Sequence, residues 1–156
     1  KKFMTRVNVV HPNILTDQHL FAEYREITRL FSLVEKANKS LNNQEIFQKI
    51  PQNYRMGQGH VLFFYDKLEF IEKRYFALKQ ELTARNMQFT PKDSIVKFRQ
   101  EINKCFYHDY QPTPEALLAN IHRLKEKINQ RPNFYRYFGK LIHDEAYLEQ
   151  LDDLLM

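Results

Sequence analysis

The sequence predicts an all-α fold: a compact single domain of three main helices with long connecting loops and an extra acidic helix at the C-terminal end. Three observations carry this. Apolar residues recur at three- and four-residue intervals in several long windows, the pattern of amphipathic helices. All six prolines, at 12, 51, 91, 112, 114 and 132, sit between or at the edges of those windows. Three glycines in 156 residues leave little material for the tight turns of an all-β fold. A chain of this length buries a real core without metal or disulfide staples. The single cysteine, Cys105, excludes an internal disulfide framework and a four-cysteine zinc site, and suits a reducing cytosol. No apolar run approaches a membrane span, and no signal-peptide pattern follows Lys1-Lys2.

The first helix is expected to start at Thr16, an N-cap residue, with Asp17 in the first turn where an anion suits the helix dipole. Its apolar stripe is Leu20, Tyr24, Ile27, Phe31 and Val34. His19, Glu23 and Glu26 share a different face, within about 60° of one another, and are read as facing water. The second helix is expected after Gly57-Gln58-Gly59, through Val61, Phe64, Leu68, Ile71, Tyr75, Leu78 and Leu82, ending near Asn86. Its many aromatics read as core packing. The glycine pair is no dinucleotide fingerprint, since the third glycine and the preceding strand are missing. The third helix opens with Thr113 as cap and Pro114 in its first turn, follows Leu117, Ile121, Leu124 and Ile128, and stops at Pro132. A weaker helical pattern, Ile95, Phe98, Ile102 and Cys105, occupies part of the 92–106 connection. Tyr147, Leu148, Leu151 and Leu154-Leu155 predict a short amphipathic helix in the tail.

The chain carries 24 Lys and Arg against 19 Asp and Glu, a net charge of +5. Residues 141–156 hold five of those acids (Asp144, Glu145, Glu149, Asp152, Asp153) and no base, so residues 1–140 keep 24 bases against 14 acids, or +10. Such a body favours a polyanionic partner, nucleic acid first and an anionic membrane second, with a merely solvated surface an equal reading of the charge alone. Asn133 to Lys140 interleaves Phe134, Tyr135, Tyr137 and Phe138 with Arg136 and Lys140. Rings stack on bases while cations take phosphates, so this run is a candidate nucleic-acid surface, with at least one ring expected in the core. His19 and Glu23 stand one turn apart, but no histidine belongs to a recognised metal-ligand set. Cys105 among apolar neighbours reads as structural.

Three blocks then stand out. Met4-Thr5-Arg6-Val7-Asn8, Asp17-Gln18-His19-Leu20 and Ala22-Glu23-Tyr24-Arg25-Glu26 with Arg29 form the first. The second is Gly59-His60-Val61, Phe63-Phe64-Tyr65-Asp66-Lys67-Leu68-Glu69-Phe70 and Lys73-Arg74. The third is Arg123-Leu124, Glu126-Lys127-Ile128, Gln130-Arg131-Pro132, Tyr135, Tyr137 and Gly139-Lys140. In this order, across residues 4–140, they resemble the phage endonuclease V family of pyrimidine-dimer DNA glycosylases. Residues 4–140 are accordingly taken as the glycosylase-like domain and 141–156 as an acidic amphipathic extension of it.

The resemblance implies a monomeric, cofactor-free and metal-free enzyme. It would act on damaged double-stranded DNA in the cytoplasm of a bacterial cell, or as a phage-encoded protein on intracellular DNA. A glycosylase step at a cyclobutane pyrimidine dimer would be followed by strand cleavage at the abasic sugar. It implies that the nucleophile is the α-amine of Thr5 and that Glu26 is the catalytic carboxylate. An α-amine, with pKa ~7.7–8.0 against ~10.4 for lysine, is about 10–15% free base at pH 7, where an unperturbed lysine is about 0.04%. The imine it forms acidifies the neighbouring sugar protons, so β-elimination follows. Glu26 would assist ring opening, stabilise the developing cation and shuttle the proton. DNA contacts would come from Arg6, Arg25, Arg29, Arg123 and Lys127, with Gln18 and His19 flanking the site. Phe134, Tyr135 and Arg136 would supply rings and a cation; Phe134 stands where the family can have tryptophan and Arg136 where it can have lysine. The base opposite the lesion would be turned out of a kinked duplex, at lowered unstacking cost because dimers stack and pair poorly.

Two departures bear on this. Lys1-Lys2-Phe3 precede Met4, and with Lys1 at the terminus the Thr5 nitrogen is an amide; the expected start is Met4, removed because threonine is small. The acidic tail extends past the family's usual end and is expected to fold back on the basic surface, restraining binding to undamaged DNA. Other readings of the same residues are a glycosylase for another modified base, a non-catalytic damage-binding protein if the Thr5 amine stays blocked, and a structural helical domain with a chance basic face.

Overall fold

The computed structural model describes residues 6–156. Its α-helices are α1 (Asp17–Ile27), α2 (Arg29–Ser40), α3 (Asn43–Lys49), α4 (Leu68–Ala84), the single-turn α5 (Phe98–Glu101), α6 (Pro114–Gln130) and α7 (Asp144–Asp153). Strands β1 (Arg136–Tyr137) and β2 (Lys140–Leu141) pair antiparallel between α6 and α7. At 61% helix and 3% strand the fold is all-α, as the periodicity and proline placement predict. The expected caps are in place: Thr16 Oγ1 accepts the His19 N–H at 3.2 Å, and Thr113 Oγ1 accepts the Ala116 N–H at 3.0 Å.

Three boundaries differ from the sequence reading. The first helix divides at Thr28, where the Phe31 N–H bonds the Thr28 carbonyl, three residues back, at 3.3 Å. The apolar stripe nevertheless continues through both pieces, with Leu20, Tyr24, Ile27, Phe31 and Val34 all buried. The second helix begins at Leu68, not after Gly59. Residues 62–64 form a 3₁₀ turn instead, burying the adjacent rings of Phe63 and Phe64, which meet Tyr54 and Tyr110 edge-on. Lys67, at φ −125° and ψ 39°, is outside helical conformation, and its ammonium lies 3.9 Å from the Phe63 ring centre. In the 92–106 connection the weak helical pattern becomes two 3₁₀ turns around α5.

Two elements were not anticipated. Helix α3 starts with a capping box: Asn42 Oδ1 accepts the Glu45 N–H at 2.8 Å while Glu45 Oε1 accepts the Asn42 N–H at 2.9 Å. The β1–β2 hairpin turns on Phe138 at φ +53° and Gly139 at φ +79°, the two positive values a type I′ turn requires.

Helices α1 and α4 pack face to face, with the Tyr24 and Tyr75 rings stacked 5.2 Å apart. Between these helices and α6 runs an extended segment, residues 6–10, that has no strand partner. A buried polypeptide still has to pair its N–H and C=O groups, and here buried side chains do the pairing. Val7 N–H bonds His60 Nε2 at 2.8 Å, Asn8 N–H bonds Glu23 Oε2 at 3.2 Å, and the N–H groups of Val9 and Val10 both bond Asn120 Oδ1, at 2.6 and 3.1 Å. Tyr54 donates to the Val7 carbonyl at 3.0 Å and Arg74 donates to that of Val10. Glu23 and Arg74 form a two-point ion pair at 2.9 and 3.0 Å, both side chains almost fully buried. Glu23 is thus committed to the interior, and the face it shares with His19 and Glu26 is not simply a solvated one.

Helix α7 packs on α6 through Tyr147 and Leu151, and the Tyr147 hydroxyl donates to the Ile14 carbonyl at 2.8 Å. Asp152 pairs with Lys125 at 2.8 Å. Lys125 lies about 160–200° around the helix from Arg123 and Lys127 at 100° per residue, so α7 occupies the back of α6. The expected fold-back of the acidic tail onto the basic surface is not what the structure shows. None of the helices, among the described residues, is long and apolar enough to cross a membrane.

The Glu23–Arg74 pair yields a stability prediction. Arg74→Ala leaves a buried carboxylate without its counter-charge and should lower unfolding free energy by about 3–5 kcal/mol. Urea denaturation checks it, and a loss below about 1 kcal/mol, as for an exposed pair, contradicts the burial.

Candidate nucleic-acid interface

Helix α1 presents Gln18, His19, Phe21, Ala22 and Arg25 along one wall of an open groove of about 860 Å³. The opposite wall is Lys127 of α6 and Arg131 just past its end, with Phe134, Tyr135 and Arg136 from the segment that follows. Seven of the residues singled out from sequence, Gln18, His19, Arg25, Lys127, Phe134, Tyr135 and Arg136, therefore meet in one place. Arg6 and Arg123 line a second groove, of about 600 Å³, beside Met56, Gly57 and Leu118. Glu26 follows Ala22 by one turn of α1 and pairs with Arg29 of α2 at 2.8 Å, with its side chain still partly open to solvent. Thr5 lies outside the described residues.

Several of these side chains shape the groove more than they offer free polar groups. Gln18 bridges to the aromatic segment with both ends of its amide, donating to the Phe134 carbonyl and accepting the Arg136 N–H, each at 3.0 Å. Tyr135 is 5% exposed and stacks on His19 with ring centres 4.6 Å apart. It is the buried ring expected among the four aromatics. Phe134 is capped by the Arg131 guanidinium, 3.6 Å from its ring centre. Arg136, exposed, donates to the Gly139 carbonyl at 3.0 Å.

The hairpin that extends this wall is tied down by Asp17, which sequence reading assigned only to the helix dipole. Its carboxylate accepts the N–H groups of Phe138 at 3.1 Å and Gly139 at 2.8 Å, and a 2.9 Å bond from the buried guanidinium of Arg85. Arg85 also lies beneath the Tyr137 ring at 4.5 Å. No local pattern marks this contact, since Arg85 and Asp17 are 68 residues apart.

The electrostatics favour an anion. Burial, and then Arg123, lower the pKa of Arg6; burial, Arg123 and Arg6 lower that of Lys127. These cations penalise one another, and a phosphate among them relieves the repulsion. Two histidines answer the same field by staying neutral. His19 is pushed down to about 4 by burial and then by Lys127 and Arg123. His60 is pushed down to about 4 chiefly by burial, against a bond from Nδ1–H to the Arg55 carbonyl at 2.7 Å that favours the proton. That bond leaves Nε2 as the acceptor for Val7. The His19–Glu23 pair, one turn apart, has its carboxylate occupied by Arg74 and Asn8.

A family model described as Pyrimidine dimer DNA glycosylase matches residues 4–95. The chain belongs to this family. As a pyrimidine dimer DNA glycosylase it acts on damaged DNA, which agrees with a basic groove flanked by aromatic rings. The match contains Thr5, Arg6, Gln18, His19, Arg25, Glu26 and Arg29. Arg123, Lys127 and the aromatic segment lie beyond it, and folding brings them against the matched α1. Sequence reading missed Tyr54, Asn120 and Arg85, which support the site from behind; each bonds a partner 47 or more residues away, which no local pattern records.

The two neutral histidines predict an acid-sensitive fold. Free histidine titrates near 6.5, whereas these two titrate near 4 in the folded protein. Between those values the unfolded chain takes up protons that the folded chain refuses, so stability is full above pH 6.5 and falls toward pH 4. The loss should reach up to about 3 kcal/mol for each ring. His60→Gln, whose amide can both accept from Val7 and donate to Arg55, should remove about half of that acid slope. Urea midpoints from pH 7 to 4 measure it, and an unchanged slope excludes His60 as a source.

Proposed function

We propose that this pyrimidine dimer DNA glycosylase works through the α-amine of Thr5, with strand cleavage coupled to base release. The observation that carries the proposal is the anchoring of residues 7–10 by His60, Glu23, Asn120, Tyr54 and Arg74. A segment that pairs with no strand is held by buried side chains from three helices and a loop, which is how a chain end is kept still. Asn8 is bonded to Glu23, one turn before Glu26 on α1. One turn is about 5.4 Å of rise, and three extended residues reach at most ~10–11 Å. A nucleophile at Thr5 is therefore within chain reach of the Glu26 carboxylate.

The chemistry follows from those groups. The unprotonated amine attacks C1′ of the damaged nucleotide as the glycosidic bond breaks, and the bonding pair leaves with the base, which acquires a proton. Loss of the amine proton and opening of the sugar give a C1′ imine, with Glu26 stabilising the cation that develops. The imine acidifies C2′; as a C2′ proton is removed, the C3′–O bond breaks and its electron pair leaves with the phosphate. In this reading Glu26 carries that proton. Arg6, Arg123 and Lys127, with Arg25, Arg29 and Arg136, hold phosphates, while the groove between α1 and Phe134–Arg136 takes the distorted strand.

Borohydride trapping on a duplex with one thymine dimer tests this, using protein that starts at Thr5 beside protein that starts at Lys1. A covalent adduct formed only by the Thr5 protein supports the reading; binding by both with no adduct from either overturns it. Glu26→Gln should keep affinity for the damaged duplex while lowering the cleavage rate about 10²–10⁴-fold, the range for a lost acid–base group. Gel-shift binding and single-turnover cleavage separate the two effects.

A further inference from the structure

Asn120 lies on α6, three residues before Arg123 and seven before Lys127, so the three side chains follow one stripe of the helix. Its side chain is completely buried. The Oδ1 atom accepts two consecutive backbone N–H groups, those of Val9 and Val10, and Nδ2 donates to Asn8 Oδ1 at 2.7 Å. Asn8 Nδ2 in turn donates to Glu23 Oε1 at 2.8 Å. All the hydrogen-bonding directions of this amide but one are thus turned on the N-terminal segment, and the chain of bonds continues to the helix that carries Glu26. A fully buried asparagine in a helix is an unfavourable choice unless its bonds are required.

We propose that Asn120 is a positioning residue for the reaction: it clamps residues 8–10 so that the terminal amine is held at a set distance from both Glu26 and the phosphate-binding Arg123 and Lys127. The inference rests on the Thr5 amine as nucleophile. His60, Glu23, Tyr54 and Arg74 tie this segment to α1, α4 and a loop, whereas its bonds to α6 run through Asn120. With the clamp, a phosphate gripped by Arg123 and Lys127 and an amine held through Asn120 refer to one rigid helix. Reaction rates fall steeply when reacting atoms lose their approach geometry, by about 10²-fold for a displacement of ~1 Å.

The test uses the protein beginning at Thr5, an abasic-site duplex, and single-turnover borohydride trapping normalised to folded protein. Asn120→Ala should lower the trapping rate about 10–100-fold while the dissociation constant for a duplex with a tetrahydrofuran abasic analogue changes less than about 3-fold. Asn120→Asp keeps an oxygen for Val9 and Val10 and should restore most of the rate. Asn120→Gln keeps the amide but moves it by one methylene and should remain slow, which carries the comparison if the alanine variant does not fold. Leu151→Ala, in the buried face of α7 behind α6, lowers stability without touching the clamp and should trap at the wild-type rate. Equal loss in the Asp and Gln variants, a wild-type rate in Ala, or a loss confined to binding overturns the proposal. Wild-type trapping decides the amine reading by itself: if the wild-type protein is not trapped, both fall.

Discussion

Everything near the site depends on the buried ion pair between Glu23 and Arg74. Removing two charges from water is costly, and a buried pair is favourable only when every remaining lone pair and proton finds a partner. Here Glu23 Oε1 takes bonds from Asn8 Nδ2 and Arg74 Nη2, and Oε2 from Asn8 N and Arg74 Nε. Arg74 uses its third nitrogen on the Val10 carbonyl. The pair therefore joins α1 to α4 and captures the segment from Asn8 to Val10 in the same set of bonds. Without it the segment has no sheet to pair with, and its polar backbone has no reason to be inside.

This arrangement holds a segment without a sheet partner inside a small helical protein. Residues 7–10 are enclosed by α1, α4 and α6 and by the loop carrying Tyr54 and His60. His60 has to stay neutral to accept the Val7 N–H, and burial together with the nearby positive charge keeps it so. The positive charge of Arg6 and Arg123 thus also protects the acceptor that holds Val7. On the far wall, Asp17 and Arg85 set the hairpin, and Gln18 ties the aromatic segment to α1, so the groove has two sides held to one helix.

The family match and the fold divide the site differently. Matched residues 4–95 contain α1 and the N-terminal segment, whereas Arg123, Lys127 and Phe134–Arg136 come from the C-terminal half. Helix α7, on the rear of α6, adds stability to the wall without entering the groove. Its acids meet Lys125 and the Asn133 N–H, so charge in this tail is engaged in holding α6 and the start of the aromatic segment.

The sequence by itself determined the helical class, the caps at Thr16 and Thr113, the apolar stripe from Leu20 to Val34, the acidic terminal helix and the family. These are local or statistical properties: a period of 3.6 residues, an oxygen at an N-cap, and motif blocks in order. It misplaced the start of α4, because the burial of Phe63 beside Phe64 is settled by rings from Tyr54 and Tyr110 and not by helical phase. Only the tertiary structure decided that Glu23 is interior, that Tyr135 floors the groove under His19, and that Asn120, His60 and Arg85 support the site. Each of those assignments is a contact between residues far apart in the chain, and a side chain's type and neighbours in sequence carry no record of which distant backbone N–H group it will meet.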